Sequence, residues 1–288
     1  MPPRSLLDPS PNLSLSARSF ETVRRLVYEK AGIDLHQGKE QLVAARLGKL
    51  VRAHGLASCD EYIKRLLADR TTNSLMELID AISTNHTSFL REPAHFDFLQ
   101  RHILPKLAGR PEVRIWCAAA ATGEEPYSLL FSTIETLGFS AAKSCRILAT
   151  DISGKALTAA RKGIYSEERV APLPQEWLPR YFLRGEAESK GLYRVKPEMQ
   201  NQIEFRKLNL IEHIYLGYQF PLISCRNVMI YFDPPTQRRV VDSLVAHLEP
   251  GGFLFIGHSD AMTSKHPSLA PVRPAVFQKT GVPAREGA

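Results

Sequence analysis

Residues 113–125 read V-R-I-W-C-A-A-A-A-T-G-E-E, which predicts a strand, a loop of small residues and the start of a helix. Val, Ile and Trp favour the strand, and residues 124–137 favour the helix. The alanines between the two elements let a ligand approach the backbone closely. In an open parallel sheet, ligands bind beyond the carboxyl ends of the strands, so this loop is the first place to look for a site.

Strands and helices continue to alternate after this unit. Further strands are predicted at residues 146–150, 203–208, 222–225, 252–256 and 275–279, and helices at 153–162 and 235–248. This alternation is typical of a mostly parallel sheet covered by helices on both faces, which is the α/β class. Residues 173–202 break the rhythm with Pro, Gly and charged residues, and we expect them to form a small inserted β subdomain.

The region before residue 90 has a helical pattern and no strand signal. In residues 41–54, apolar side chains recur at steps of three and four, while Arg46, Lys49 and Arg52 repeat every three residues on another face. We therefore expect an all-helical domain that carries a basic helix face. The predicted boundaries are a flexible arm at 1–16, the helical domain at 17–90, a linker at 91–112, the α/β domain at 113–281 and a tail at 282–288.

The composition excludes several classes of protein. The 288 residues are 44% hydrophobic and 23% charged, so collagen-like and wholly disordered chains are excluded. No apolar run reaches the roughly 18–20 residues that cross a bilayer, and residues 1–10 contain no secretory apolar segment, so we expect a soluble cytoplasmic protein. The four cysteines have no zinc-ligand spacing, and we expect reduced thiols and no metal site. The formal charge of +7 indicates acidic partners in general.

Polar residues follow three successive predicted strands. Glu124 and Glu125 would repel a pyrophosphate, which argues against a dinucleotide and for an adenosyl ligand with a cationic amino-acid part. Asp151 is placed to accept hydrogen bonds from ribose hydroxyls, and Asn209 to pair with an adenine edge. Each residue also has a structural interpretation, as a charge at a helix start, a helix cap or a turn asparagine. Together they favour S-adenosylmethionine.

Four longer stretches resemble the CheR family of chemoreceptor glutamate methyltransferases. They are S-T-N-H-T-S-F-L-R-E (83–92), A-A-A-A-T-G-E-E-P-Y-S (118–128), C-R-N-V-M-I-Y-F-D (225–233) and P-G-G-F-L-F-I-G-H-S-D (250–260). The resemblance covers roughly residues 17–281. It implies a Rossmann-like S-adenosylmethionine-dependent methyltransferase domain with a mostly parallel seven-stranded sheet, an all-helical N-terminal domain and a small inserted antiparallel β subdomain. The implied activity is methyl transfer to glutamate side chains of chemoreceptor cytoplasmic helices in chemotactic adaptation.

The resemblance also implies roles for individual residues. Arg91 would bind the cofactor carboxylate through its planar guanidinium, and Glu125, rather than Glu124, would face the cofactor ammonium. Tyr231 would face the incoming substrate carboxylate, so Arg91 and Tyr231 are the predicted catalytic residues. The implied cofactor-binding residues are Asn85, Thr87, Arg91, Glu125, Asp151, Asn209, Leu210, Arg226 and Asn227.

The implied substrate sets further expectations. A glutamate is already ionised at neutral pH, so no general base is required, and we expect His86, His95 and His258 to pack rather than catalyse.

The basic face of Arg46, Lys49 and Arg52 would seat acidic receptor helices, unless it is a solvated helix face. Gly185 and Gly191 flank a loop that in some family members adds a receptor tail to the β subdomain, and the sequence leaves this open here. We expect a monomer that binds no nucleic acid and does not insert into a membrane.

Two positions depart from the family pattern. Pro221 stands where an acidic residue is frequent, and Asp260 ends a run that usually ends in Glu.

Two alternative functions stay open. The first is a nucleic-acid methyltransferase, since residues 233–235 resemble the start of a D-P-P-Y motif, although Thr236 replaces the aromatic residue that stacks on a flipped base. The second is a non-enzymatic scaffold with a vestigial cofactor fold.

Overall fold

The computed structural model describes residues 13–69, 71, 73–83, 85–260 and 266–281. It divides into two units, Met1–Thr84 and Asn85–Ala288. Nearly all of the expected arm at 1–16, and the tail at 282–288, lie outside the described residues. Within the described residues, no helix combines the length and the apolarity needed to span a bilayer.

The first unit is helical, as predicted. Its helices are α1 (Ala17–Ala31), α2 (Glu40–Ala53), α3 (Cys59–Ala68) and α4 (Asn73–Ile82). Their apolar stripes meet in a core in which Val27, Val43 and Leu78 are fully buried. Ser16 caps α1 by accepting a hydrogen bond from the backbone N–H of Ser19 at 3.2 Å, and Ser58 caps α3 in the same way.

The expected linker at 91–112 is largely helical instead. It forms α5 (Pro93–Phe98), a π-helical turn (Leu99–Ile103) and α6 (Leu104–Leu107). Its apolar side chains are buried in the core of the second unit; they are Phe96, Phe98, Leu99, Ile103, Leu104 and Leu107. The division of the chain therefore falls between residues 84 and 85, because this segment buries too much apolar surface to act as a connection.

The second unit contains two sheets. Its strands are β1 (Val113–Cys117), β2 (Cys145–Asp151), β3 (Ile164–Ser166), β4 (Phe182–Arg184), β5 (Leu192–Val195), β6 (Ile203–Lys207), β7 (Phe220–Cys225), β8 (Leu248–Ile256), β9 (Leu269–Arg273) and β10 (Val276–Lys279). Its remaining helices are α7 (Glu124–Ala142), α8 (Gly154–Lys162), α9 (Glu167–Val170), α10 (Trp177–Tyr181), α11 (Pro197–Gln200) and α12 (Pro234–Ala246).

The large sheet has seven strands in the order β6-β2-β1-β7-β8-β10-β9. The first five are parallel, and β10 and β9 are antiparallel to their neighbours. This confirms the predicted α/β fold with a mostly parallel seven-stranded sheet. Strand β9 was not predicted, because it is an exposed edge strand that contains Pro271 and shows no apolar alternation.

Both faces of the large sheet are covered. Ile115 and Trp116 are neighbours in β1 and belong to the two opposite cores, one with α7 and the other with α12. From β1 the chain adds β2 and then β6 toward one edge of the sheet. From β7 it adds β8, and then β10 and β9, toward the other edge. The carboxyl ends of β1 and β7 therefore flank the crevice in which open α/β sheets bind ligands.

The small sheet is antiparallel, with the order β3-β5-β4. The expected insert at 173–202 contains β4 and β5, whereas β3 lies before it. Strand β3 has three residues and follows α8 directly, which leaves too short a pattern to recognise in the sequence.

Candidate active site

The loop after β1 is fixed to both neighbouring strands. The backbone N–H of Ala118 donates to the carbonyl of Ser224 at 2.7 Å, and that of Ala120 to the carbonyl of Thr150 at 2.9 Å. Gly123 ends the loop with φ +101°, and a Cβ there would lie 2.7 Å from the Tyr165 hydroxyl. Glycine is thus required both for the backbone conformation and for space. The loop of alanines lies between β1 and α7, where the sequence predicts it, and these hydrogen bonds hold it in place.

Asp151, at the end of β2, ties the loop to the second strand. Its Oδ2 accepts a hydrogen bond from the backbone N–H of Ala121 and its Oδ1 one from that of Ser153, both at 2.8 Å. Ser153 in turn caps α8, accepting from Ala156 at 3.0 Å. A carboxylate oxygen accepts more than one hydrogen bond, so the same carboxylate can hold this loop and bind a ribose hydroxyl. The ribose role stays a prediction.

The two glutamates at the start of α7 have different partners. Glu124 is fully buried, accepts a hydrogen bond from the Thr122 hydroxyl at 2.8 Å and forms an ion pair with Arg169. Glu125 accepts from the Ser224 hydroxyl at 2.6 Å and from Arg226 Nη1 at 3.0 Å. Each glutamate is thus paired with a different arginine, and the role of Glu125 toward a cofactor ammonium stays a prediction.

Arg226, at the end of β7, is held by groups on two other segments. Its side chain is 1% exposed, and its Nη2 donates to Glu92 Oε2 at 3.1 Å and to the carbonyl of Arg91. The Arg91 guanidinium donates to the carbonyl of His86 at 3.1 Å. The structure therefore joins the side chains of Glu125 and Arg226, which come from two separate motifs, and brings the backbone of Arg91 from a third motif next to them.

Glu92 is a site residue that the sequence analysis missed. Asn227 Nδ2 and the backbone N–H of His258 both donate to Glu92 Oε1 at 3.2 Å. Burial would raise the pKa of Glu92, but Arg226, Asn227 and the His258 N–H outweigh burial and lower it. The signal for Glu92 in the sequence is its position directly after Arg91 in the L-R-E run.

Asp260 holds the segment after β7 from the other side. Its carboxylate accepts hydrogen bonds from the backbone N–H groups of Asn227, Gly257 and Ile230, the last two at 2.8 and 3.1 Å. Burial raises the pKa of Asp260. Aspartate at this position thus still supplies the carboxylate that joins the ends of β7 and β8.

The other departure, Pro221, lies at the amino end of β7, away from the cleft. The pairing of β7 with β8 shifts register between Phe220 and Leu222. A residue without a backbone N–H is tolerated at such an irregularity.

The remaining predicted residues lie at the expected strand ends or loops. Asn85 and Thr87 are half-buried before Phe89. Asn209 donates to Glu212 at 3.0 Å in the turn after β6, and Leu210 is buried in the core with α12. Tyr231 is half-buried in a 3₁₀ turn, Met229–Tyr231. Their roles toward a cofactor or substrate stay predictions.

The three residues of the basic face on α2 differ in exposure. Arg46 is half-buried, and its Nη1 donates to the carbonyls of Ala81 and Ser83 at 3.4 and 3.3 Å, at the end of α4. Lys49 and Arg52 are exposed.

The D-P-P segment has a structural role. Asp233 is the N-cap of α12 and accepts a hydrogen bond from the Thr236 N–H at 2.9 Å, with Pro234 and Pro235 in the first turn. The role of these three residues in starting α12 explains their presence, so the D-P-P segment is not evidence that the protein binds a flipped base.

The fold and these strand-end residues define a Rossmann-like methyltransferase. The model of the CheR methyltransferase SAM binding domain matches residues 85–275, and that of the CheR methyltransferase all-alpha domain matches residues 18–83. The chain belongs to the CheR methyltransferase family and is an S-adenosylmethionine-dependent methyltransferase. The family assignment from sequence is confirmed.

Several curated relatives match nearly the whole chain. It is 39% identical over 256 residues to the chemotaxis protein methyltransferase of Salmonella typhimurium, with 88% of both chains covered. It is 41% identical over 242 residues to chemotaxis protein methyltransferase 2 of Pseudomonas aeruginosa, covering 84% of this chain and 85% of that one. It is 37% identical over 276 residues to the chemotaxis protein methyltransferase of Borreliella burgdorferi, covering 93% and 96%.

Among solved structures, the N-methyltransferase NodS of Bradyrhizobium japonicum WM9 overlaps 57% of this chain and 60% of its own. The TM-score is 0.34 and the identity 18%, an overlap too low to bear on the assignment.

The donor set at the strand ends fits S-adenosylmethionine. Residues 118–121 of the loop after β1 carry only methyl side chains, and Asp151 supplies a carboxylate next to them. Arg91 carries a guanidinium, the group that pairs with a carboxylate, and Glu125 carries the negative charge that pairs with an ammonium; both roles toward the cofactor stay predictions. Among the described residues, no three His, Cys, Asp or Glu side chains are grouped to hold a metal ion.

Proposed function

We propose that this chain transfers methyl groups from S-adenosylmethionine to glutamate carboxylates on chemoreceptor cytoplasmic helices, and that it acts in the cytoplasm. The observation that carries the proposal is the match over most of the chain to relatives named chemotaxis protein methyltransferase. Both family domains are present in one chain.

The proposed reaction needs placement more than proton transfer. A glutamate side chain titrates near ~4.3, so at neutral pH the attacking oxygen already carries its charge. When bound, the cofactor would supply an electrophilic methyl group: a bond from the methyl carbon to the carboxylate oxygen would form as its bond to the sulfonium sulfur breaks, and the sulfur would leave as a neutral thioether. The work of the chain is to align the two reactants and to exclude water from the nucleophile.

Each predicted site residue has a task in this scheme. Arg91 binds the cofactor carboxylate, Glu125 faces the ammonium and Asp151 holds the ribose. Tyr231 orients the incoming glutamate. His95 is consistent with a packing role, since its ring is 2% exposed and stacks on Phe255 at 4.9 Å between centroids.

The exposed cations of α2 support an acidic protein substrate. Lys49 and Arg52 project into solvent and can attract helices that carry glutamates. Arg46 contributes less to docking in this proposal, because its guanidinium already binds the end of α4.

A receptor tail can extend the small sheet. Strands β3 and β4 are its two edges, and an extended peptide pairs with such an edge through main-chain hydrogen bonds. Gly185 and Gly191 lie in the β4–β5 connection. A Cβ at Gly185 would lie 2.1 Å from the carbonyl of Ser189, so the tight loop requires glycine there.

The test is a labelling experiment with three acceptors in parallel. The full chain is incubated with methyl-labelled S-adenosylmethionine and a chemoreceptor cytoplasmic fragment, total tRNA or duplex DNA, and the products are treated with mild alkali. We expect label on the receptor fragment that alkali releases as methanol, which identifies a carboxyl methyl ester.

Two variants serve as controls in this assay. Arg91→Ala should abolish the label. Glu135→Gln should retain it, because Glu135 lies three turns along α7 from the strand ends and its carboxylate pairs with Arg180 of α10. Alkali-stable label on nucleic acid would overturn the proposal in favour of the nucleic-acid alternative. Absence of label on every acceptor, with intact cofactor binding, would reject the chosen acceptor class.

A further inference from the structure

The loop after β1 ends in a backbone conformation that its own residues do not favour. Ala121 has φ +46°, in the left-handed region that is uncommon for a residue with a Cβ, and Gly123 follows with φ +101°. A backbone of this kind persists where surrounding contacts fix it. Asp151 binds the N–H of Ala121 at 2.8 Å. The shape of the loop therefore depends next on what holds Thr122, which lies between Ala121 and Gly123.

Two side chains of the segment formed by β3 and α9 hold Thr122. The Tyr165 hydroxyl donates to the Thr122 carbonyl at 2.8 Å, and Arg169 Nη2 donates to the Thr122 hydroxyl at 2.7 Å. The guanidinium carbon of Arg169 lies 5.3 Å from the centroid of the Tyr165 ring, within the range of a cation–π contact. The segment that supplies one edge of the small sheet is therefore also an anchor of the loop after β1.

Glu124 belongs to the same network. It is the first residue of α7, is 0% exposed, and accepts a hydrogen bond from the Thr122 hydroxyl at 2.8 Å. Arg169 donates to Thr122 and forms an ion pair with Glu124, so each of the three side chains contacts the other two. A fully buried carboxylate without a cationic partner is strongly unfavourable. Loss of the Arg169 guanidinium would therefore drive Glu124 toward water and displace Thr122 and the start of α7 with it.

The loop that Arg169 holds belongs to the predicted cofactor site. It follows β1 at the crevice of the sheet, and Asp151, which binds Ala121, is the residue that the proposed function places at the ribose. A displacement of about 1 Å in a group that positions a ligand is enough to weaken its interactions substantially. The side chain of Arg169 is 41% exposed, so a variant loses the guanidinium contacts but little packing.

We propose that Arg169 is a positioning residue for the cofactor: through Thr122 and Glu124 it fixes the loop after β1 in the conformation that binds S-adenosylmethionine. It acts through these two residues and does not touch the ligand. The inference rests on the cofactor of the proposed function but not on its acceptor.

The test measures binding of S-adenosylhomocysteine to the full chain by calorimetry, with no acceptor present. This product has no net charge, so loss of the Arg169 charge acts on the ligand itself as little as possible. Arg169→Met keeps an apolar stem and removes the guanidinium, and we expect it to weaken binding by about tenfold, a loss typical of a charged hydrogen-bonding group. Arg180→Met is the matched control, because Arg180 is exposed to a similar degree and also pairs with a glutamate of α7, Glu135; it should leave the affinity unchanged.

Two further variants show whether Arg169 acts through Glu124. In the double variant Arg169→Met, Glu124→Gln the buried charge is gone, and we expect the affinity to return to within about threefold of the parent. Arg169→Lys retains the charge without the planar fork that reaches both partners, so we expect a loss of about threefold. Thermal unfolding gives the unfolding temperature of each variant, and binding is measured well below it. If Arg169→Met did not fold, Arg169→Lys and the double variant would carry the test.

The inference is overturned if Arg169→Met binds with the affinity of the parent, because the loop then does not depend on Arg169. It is also overturned if the double variant binds as weakly as Arg169→Met, because Arg169 would then act on the ligand directly rather than through Glu124. Since binding is measured without a receptor, failure of receptor methylation leaves this result unaffected, and the two proposals fail separately.

Discussion

At the scale of the single residue, His95 makes the stability of the fold depend on pH. Its ring is stacked between Phe255 and His258. Burial and the Arg226 charge lower the pKa of His95 to about 4, although Glu92 opposes them. The unfolded chain therefore takes up a proton, near the ordinary pKa of about 6.5, that the folded chain excludes.

Stability should consequently fall as the pH drops from about 6.5 toward 4. We expect the free energy of unfolding in urea to decrease by about 2 kcal/mol more between about pH 7 and pH 5 than in the variant His95→Phe, which has no titrating group at this position. Equal pH slopes for the two proteins would contradict this assignment.

Gly257 gives a second prediction at this scale. A Cβ at this position would lie 2.4 Å from Asn227 Nδ2 and 2.7 Å from the Asn227 backbone nitrogen. We expect Gly257→Ala to displace Asn227, to lower the free energy of unfolding by about 1–3 kcal/mol and to weaken S-adenosylmethionine binding by about tenfold. Gly281→Ala, where a Cβ meets nothing within 4 Å, is the matched control and should leave both quantities unchanged.

At the scale of the element, α2 carries three cations: Arg46 stabilises the packing of α2 on α4, and Lys49 and Arg52 are exposed to solvent. The guanidinium of Arg46 binds the last carbonyls of α4, where a positive charge also interacts favourably with the helix dipole. We expect Arg46→Ala to lower the free energy of unfolding by about 1 kcal/mol, whereas Lys49→Ala should change it by less than about 0.5 kcal/mol. Urea unfolding followed by circular dichroism measures both.

In a receptor methylation assay, the exposed cations of α2 should matter more than Arg46. Charge reversal by Lys49→Glu and Arg52→Glu should raise the KM for a receptor fragment several-fold and leave the Kd for S-adenosylmethionine unchanged. If the double variant kept the parent KM, α2 would be a solvated face and the docking proposal would fail.

At the scale of the whole molecule, the formal charge of +7 should steer an acidic substrate. Screening becomes strong at about 0.1 M salt, where the Debye length is about 10 Å. We expect the KM for a receptor fragment to rise several-fold between about 50 and 300 mM NaCl, and the Kd for S-adenosylmethionine to change little. The Lys49→Glu, Arg52→Glu variant should show a weaker salt dependence, and a KM independent of salt would argue against steering.

Features that depend on a few neighbouring residues could be predicted from the sequence, whereas features that depend on distant residues could not. The strand of residues 113–117 and its alanine loop were predictable because strand propensity and small side chains act over a few neighbours. The helical fold of residues 93–107 was not, because its apolar side chains have meaning only against the core that they complete. Strands β3 and β9 were missed because one is very short and the other is an exposed edge.

In the site, the sequence motifs indicated candidate residues but not which of them form ion pairs with each other. Glu124 and Glu125 are adjacent in sequence, yet one is bound to Arg169 and the other to Arg226. The motifs do not single out Glu92, although its carboxylate contacts residues that are 134 and 166 positions away in the chain. No local pattern could have indicated those contacts.

The sequence by itself determined the fold class, the helical first unit, the family and the motifs that contain the predicted cofactor residues. These depend on periodicity, composition and runs of neighbouring residues, which are written along the chain. Only the tertiary structure decided which carboxylate balances which guanidinium, and that Arg46 serves α4 while Lys49 remains exposed. Such pairings depend on distance in space and on burial, which raises the strength of each charge interaction, and neither quantity is fixed until the strands and helices have packed.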